Sequence, residues 1–329
     1  MSFICFDLEG PLSPRDNAYD LMGLFPGGRQ VFEVVSRYDD LLALENREGY
    51  EPGDTLALIV PFLLCHQLRE ADIVALAEKA SLVAGAAELV ARLKDSGWQV
   101  FCISTSYEQY ASRITQRVGI SRHNLACTHF PLDSLRAGLG RDDAIRIARL
   151  EQEISKLVPQ VDDAVIKDRL DSFYWKELPG TALGAAVAQI KPVGGRRKVA
   201  ALETFAREHG CSLASFTVVG DSITDARMLS SVNLAGGLAI AFNASEYALV
   251  EATVGLASTH ISDLWPVLEA WRRGGRQAVI ELIGQLQSVE TAGDRDNFQW
   301  LAAAGPLEPH LLLHRRIRRL VRDSAAKLG

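Results

Sequence analysis

Four short apolar runs, Phe3–Phe6, Val100–Ile103, Phe216–Val219 and Leu238–Phe242, are each followed at once by polar or glycine residues. Strands that are apolar at every position suit burial on both faces, the situation of a parallel sheet. The segments between them carry a different period. Tyr107, Tyr110, Ala111, Ile114 and Val118 recur at spacings of three and four before Gly119. Val199, Leu202, Phe205 and Ala206 do the same before Gly210, and Val90 and Leu93 before Gly97. Each set describes one helix face ended by a glycine stop. Strands alternating with such helices predict a doubly wound, Rossmann-like α/β sheet.

The alternation fails in two stretches where helical patterns dominate. The expected organisation is therefore a core of residues 1–14, 82–130 and 191–262, a helical insertion at 15–81, a second at 131–190, and a helical tail at 263–329. Pro26-Gly27-Gly28 and Pro52-Gly53 divide the first insertion, and Pro179-Gly180 closes the second. Leu56–Cys65 is the most apolar stretch, but it is about half the ~20 residues needed to cross a bilayer, and Pro61 interrupts it. It reads as a buried helix.

In an open α/β sheet, ligands bind beyond the carboxyl ends of the strands. The first run ends in Asp7-Leu8-Glu9-Gly10, the second in Ser104-Thr105-Ser106, and the third in Gly220-Asp221-Ser222-Ile223-Thr224-Asp225, with Lys198 opening the helix before it. Asp7, Glu9, Asp221 and Asp225 at one edge would repel one another unless a hard cation and a lysine balanced them. Magnesium is the natural candidate.

Taken in order, Asp7-x-Glu9-Gly10, Ser104 after an apolar strand, Lys198 and Gly220-Asp221-x-x-x-Asp225 resemble the four motifs of the haloacid dehalogenase (HAD) superfamily. The spacing from Lys198 to Asp221 and the run Ser104–Ala111 look most like its phosphoserine phosphatase branch. The resemblance implies a HAD core with a helical cap at 15–81, and a magnesium-dependent phosphatase acting on a small phosphorylated metabolite through an aspartyl-phosphate. Asp7 would be the nucleophile, Glu9 the general acid and base, Ser104 a ligand of a phosphoryl oxygen, and Lys198 the neutralising cation. Gly10, Thr105 and Ser106 would border the phosphate, and Asp16 would stand where the branch holds a substrate amine. Mg2+ would be bound by Asp7, Asp221, the backbone carbonyl of Glu9, and Asp225 in an inner or outer shell.

Several residues depart from that pattern. Glu9 replaces the usual second aspartate and reaches ~1 Å further, a displacement that can cost on the order of a hundredfold in rate. Pro11 stands where threonine is frequent. No basic residue occurs between Arg47 and Arg69, where the branch supplies an arginine for the substrate carboxylate, so a different or more apolar ester than phosphoserine is expected. A phosphotransferase is a near alternative, whereas phosphonatase chemistry would need a cap lysine and finds only Lys79. A non-catalytic binding or assembly subunit is the alternative from another class. The opening Phe6-Asp7-Leu8-Glu9-Gly10-Pro11-Leu12 also resembles a HAD branch associated with energy-converting hydrogenases.

Elsewhere the signals are structural. With 35 basic against 41 acidic side chains, the net charge of -6 gives no global attraction to nucleic acid. Cys5, Cys65, Cys102, Cys127 and Cys211 form no CxxC pair, which fits a reducing, cytoplasmic setting. No secretory signal is read at the start. GxGxxG, GxxxxGK[ST] and GxSxG are absent. His310 and His314 share a helix spacing but lack a third zinc ligand. Tyr174 and Trp175 are candidates for a pocket or a homodimer contact, against the plainer role of filling a core. In the last helix Arg315, Arg316, Arg318, Arg319, Arg322 and Lys327 oppose Asp323, with Leu313, Ile317, Leu320 and Val321 on another side. Such a helix could touch lipid, nucleic acid or an acidic partner, but the pattern favours arginines facing solvent and an apolar face packed on the core.

Overall fold

The computed structural model describes residues 2–136, 139–288, 297–301 and 307–322. Its sheet has the strand order β3-β2-β1-β4-β5-β6-β7. The strands are β1 (Ser2–Phe6), β2 (Trp98–Tyr107), β3 (Leu125–Thr128), β4 (Phe216–Gly220), β5 (Leu238–Phe242), β6 (Val254–Ala257) and β7 (Asn297–Trp300). β1 to β6 pair in parallel, and β7 lies antiparallel on β6 with Phe298 opposite Leu256. The segment 263–329, expected to be helical throughout, thus contributes a strand that covers an otherwise open edge.

Side chains alternate between the two faces of β1. Ile4 and Phe6 join one apolar cluster with Leu89, Leu93, Tyr110 and Ile114, while Phe3 and Cys5 join another with Leu202, Phe205, Met228 and Leu229. Helices Ala86–Asp95 and Glu108–Val118 therefore cover one face, and Arg196–Glu208 and Ala226–Ala235 the other. Gly119 takes the left-handed conformation (φ 86°) that ends Glu108–Val118, as its place after the apolar stripe predicts.

In the first insertion, after β1, the helices run from Asn17 to Lys79. Leu56–Cys65 forms two short buried helices, Thr55–Leu58 and Val60–Cys65, broken beside Pro61. Helices between β3 and β4 pack against these. Arg37 meets Asp163 at 2.6 Å, Arg47 meets Asp171 at 2.8 Å, and the buried Tyr174 hydroxyl donates to the Leu58 carbonyl. Trp175 is 42% exposed, and its Nε1 donates to the Tyr38 hydroxyl at 2.7 Å. The second insertion thus buttresses the first.

Helix Glu308–Arg322 follows the predicted orientation only in part: Arg315, Arg316 and Arg319 face solvent and Val321 packs on the core as expected, but Arg318, Arg322 and Leu320 do not follow it. Leu311, His314, Arg318 and Arg322 face inward, whereas Leu312 and Leu320 are 58% and 67% exposed. Asp323 and Lys327 lie outside the described residues. Nδ1 of the buried His314 accepts from the Ala244 N–H at 2.8 Å, so Nε2 carries the proton and donates to Gln299 Oε1 at 2.9 Å. Both ring nitrogens are committed, and neither is free for a metal.

Burial, helped by His310 and Arg318, pushes the His314 pKa down to about 3. Unfolding restores an ordinary imidazole of pKa about 6.5, so the unfolded chain takes up a proton that the native one refuses. The stability His314 contributes above that value is lost as pH falls from about 6.5 toward 3, at up to about 1.4 kcal/mol per pH unit. His314→Gln, which keeps an acceptor for Ala244, should flatten urea-unfolding stability against pH by about this slope between pH 6 and 4. Parallel curves for the two proteins would contradict the assignment.

Candidate active site

β1 and β4 are neighbours where the winding of the sheet reverses, the place at which such folds bind ligands. The Asp7 N–H still donates to the Val219 carbonyl, at 2.8 Å, so the carboxyl leaves from the last rung of the β1–β4 ladder. The chain then curls. Leu12 and Ser13 N–H groups both return to the Leu8 carbonyl, and the Gly10 N–H donates to Ser13 O at 2.7 Å. Gly10 has φ +102°, and a Cβ there would come within 2.4 Å of Asp221 Cγ. Glycine at this position serves both the turn and the approach of β4's acidic loop.

Lys198, in the first turn of Arg196–Glu208, is fully buried, with Nζ 2.8 Å from Asp7 Oδ1 and 2.7 Å from Asp225 Oδ1. Burial opposes its charge, but Asp225 and Asp7 together outweigh that and hold its pKa above the ordinary lysine value. The other oxygen of Asp225 accepts from the N–H groups of Asp221 and Ser222 at 3.0 and 3.1 Å. Asp7 itself is pushed up to about 8 by burial and by Asp225 and Asp221, against the pull of Lys198.

On β2, the buried Ser104 Oγ accepts from the Ser106 N–H at 3.1 Å, and Thr105 Oγ1 donates to the Val193 carbonyl at 3.1 Å. Glu9 Oε1 accepts from Ser106 Oγ at 2.6 Å and from the Asn17 N–H at 2.8 Å. Burial and the neighbouring Asp16 raise Glu9 to about 8. Asp16 caps helix Asn17–Met22, its Oδ1 accepting from the Tyr19 N–H at 2.8 Å.

A cavity of about 110 Å³ gathers Asp7, Glu9, Asp16, Ser104, Thr105, Ser106 and Asp221. Gly10, Lys198 and Asp225 do not line it; Lys198 and Asp225 reach it through Asp7 and the backbone of Asp221. The first insertion supplies the far wall with Phe32, Asp39, Asp40, Thr55 and Leu56. It is seated closed: Glu51 accepts from the Arg196 N–H at 2.9 Å, Asp54 pairs with Arg197 at 2.5 Å, and Gly53 lies against Thr105.

The acidic cluster fits a hard divalent cation. Carboxylate oxygens of Asp7, Asp221 and Asp225 lie within 4.8 Å of one another, and Asp221 Oδ1 is buried with no hydrogen-bond partner among the described residues. An orphaned carboxylate oxygen is costly unless something positive meets it.

Sequence reasoning missed Arg318 and Arg322. Both line the cavity, and each places Nη1 2.7 Å from Asp221 Oδ2. The Arg318 Nη1 also donates to the Asp221 carbonyl at 3.1 Å. Their signal in the sequence is the i, i+4 spacing with each other and with His314, which puts all three on one helix face. The cluster accounts for the inward turn of these two arginines: pairing the buried Asp221, which Lys198 does not reach, outweighs the small gain from burying Leu320.

Neither a protein-family model nor a curated protein matches the sequence. Solved structures do. Gene product AF1437 from Archaeoglobus fulgidus superposes with a TM-score of 0.86 at 28% identity, over 100% of this chain and 99% of that one. A phospho-aspartyl intermediate analogue of phosphoserine phosphatase gives 0.52 at 17% identity, over 80% of this chain and 97% of that one. A substrate-bound phosphoserine phosphatase complex gives 0.52 at 16% identity, with the same coverage. The α/β sheet, its helical insertion and the strand-end motifs together place the chain in the HAD fold, in the form found in phosphoserine phosphatases.

Proposed function

We propose that the chain is a magnesium-dependent phosphatase that hydrolyses a small phosphate monoester through an aspartyl-phosphate on Asp7. The observation that carries this reading is the closed cavity in which Asp7, tethered by Lys198 through one oxygen, faces Ser104 and Asp221. The untethered oxygen of Asp7 attacks phosphorus while the bond to the leaving oxygen breaks. Glu9 accepts two hydrogen bonds on Oε1, which leaves Oε2 to carry a proton to that leaving oxygen. Glu9 then takes a proton from the water that displaces Asp7 and releases phosphate. Ser104 donates to a phosphoryl oxygen, and Lys198 keeps Asp7 aimed. Magnesium, held by Asp7, Asp221 Oδ1 and the Glu9 carbonyl, would offset the charge of the phosphoryl group. Asp225, already accepting from Lys198 and two backbone N–H groups, anchors the lysine.

The cavity wall from the first insertion contains acids and apolar groups and no base. It suits a leaving group without a carboxylate, so phosphoserine is not the favoured ester. The test is Mg2+-dependent hydrolysis across a panel of monoesters, with Glu9→Gln beside the wild type. Glu9→Gln should slow alkyl phosphates by about 10²–10⁴-fold and p-nitrophenyl phosphate far less, because a good leaving group needs no proton. Equal losses on both esters would remove Glu9 from the acid role, and phosphoserine turning over fastest would overturn the substrate class.

The five free thiols fit a reducing, cytoplasmic setting, and no helix among the described residues is long and apolar enough to cross a membrane. One observation favours the second reading, a binding or assembly subunit that keeps the fold: the arginines on Asp221 already supply part of the charge a cation would bring.

A further inference from the structure

We infer that Arg318 and Arg322 set the cation affinity of the site, holding Asp221 through Oδ2 and opposing the charge of any divalent ion that takes Oδ1. The inference rests on the cation reading above and adds a component from outside the sheet. Asp221 is wholly buried, with one oxygen shared by two guanidinium groups and the other without a hydrogen-bond partner among the described residues. A divalent ion on Oδ1 would sit one carboxylate width from two positive charges in a buried site. Repulsion at that range is large at any protein dielectric. Arginine cannot relieve it as a lysine or histidine could, because it does not give up its proton near neutral pH.

The two arginines are not equivalent. Arg318 Nη1 has the carboxylate and the main-chain carbonyls of Asp221 and Asn243 within 3.4 Å. Among the described residues Arg322 makes one hydrogen bond, to Asp221 Oδ2, its Nε is buried with no partner, and it faces the Glu9 and Asp16 carboxyls without bonding them. Arg318 therefore belongs to the seat of the helix, alongside His314, and Arg322 is the group a cation most easily displaces. Because coupling between two binding events is reciprocal, the affinity that Arg322 takes from the cation is the stability that the cation takes from the docked helix.

The test uses substrate-free, full-length protein and Mn2+, whose binding is read directly by electron paramagnetic resonance. Arg322→Met should bind Mn2+ at least about tenfold more tightly than wild type, and Arg322→Lys, which keeps the charge, should stay near wild type. An Arg322→Met affinity within about twofold of wild type, or weaker, overturns the inference, as does absence of Mn2+ binding in both. A second measurement needs no variant. Saturating Mn2+ should speed amide hydrogen exchange across 308–322 in the wild type, and unchanged or slowed exchange also overturns it. Hydrolysis of p-nitrophenyl phosphate, measured separately, keeps the two readings apart. An inactive protein with Arg322-dependent Mn2+ binding sinks the phosphatase reading alone, and an active one indifferent to Arg322 sinks this inference alone.

Discussion

Asp7→Asn is expected to lower Mg2+-dependent turnover of p-nitrophenyl phosphate by at least about 10³-fold while leaving the fold intact. Asparagine keeps the shape of the side chain and an acceptor oxygen for Lys198, which lies 2.8 Å from Asp7 Oδ1. What it loses is the anionic oxygen that attacks phosphorus, and the neighbouring carboxyls are held in other contacts. Glu9 is tied to Ser106 and Asn17, Asp221 to two arginines, and Asp225 to Lys198 and the backbone. Far-ultraviolet circular dichroism and the midpoint of urea unfolding serve as the control. A well-folded variant that hydrolyses the ester as fast as wild type would mean that the observed activity does not pass through Asp7. The fold would then be better read as a binding or assembly scaffold.

The parts of this site that were legible in the sequence are those carried by strand ends. Asp7, Ser104 and Asp221 follow apolar runs directly, and parallel strands pointing the same way must deliver them to one edge. Lys198 was legible from the helix leading into β4. Strands β3 and β6 escaped notice because neither is a continuous apolar run bounded by turn residues: Leu125–Thr128 mixes apolar with polar positions, and Gly255 interrupts Val254–Ala257. β7 was missed for the same reason, within a stretch otherwise read as helical. Arg318 and Arg322 failed for a deeper reason. Helix amphipathicity assumes that the apolar face seeks the core, and it holds when the core is apolar. Here the surface under Glu308–Arg322 includes Asp221, with Asp7, Glu9 and Asp16 around the same cavity, so Arg318 and Arg322 go inward and Leu320 is left outside, while Arg315, Arg316 and Arg319 stay in solvent. No local pattern encodes that preference, because it depends on charges brought together from three distant segments.

Lys198→Met should be the most destabilising single change at the sheet edge, by roughly 3–5 kcal/mol near pH 8. Methionine fills a similar volume, so packing alone predicts a small effect. The difference is electrostatic. Lys198 is fully buried between Asp7 Oδ1 and Asp225 Oδ1, and removing it leaves two buried carboxylates with no cation between them. Removing one partner of a buried ion pair costs more than the pair contributes, because the remaining charge has neither water nor counter-ion. Asp7 can escape by taking up a proton. Its native pKa, already raised, rises further without the ammonium, so the loss should shrink as pH falls and grow as it rises. Unfolding by urea at pH 5 and pH 8 reads both the size and the sign. Asp7→Asn in the Lys198→Met background should recover part of the loss, because it removes one of the two uncompensated charges, and the double-mutant cycle isolates that coupling. A loss below about 1 kcal/mol at pH 8, or one that does not change with pH, would mean that the Arg318 and Arg322 guanidinium groups compensate the cluster without Lys198.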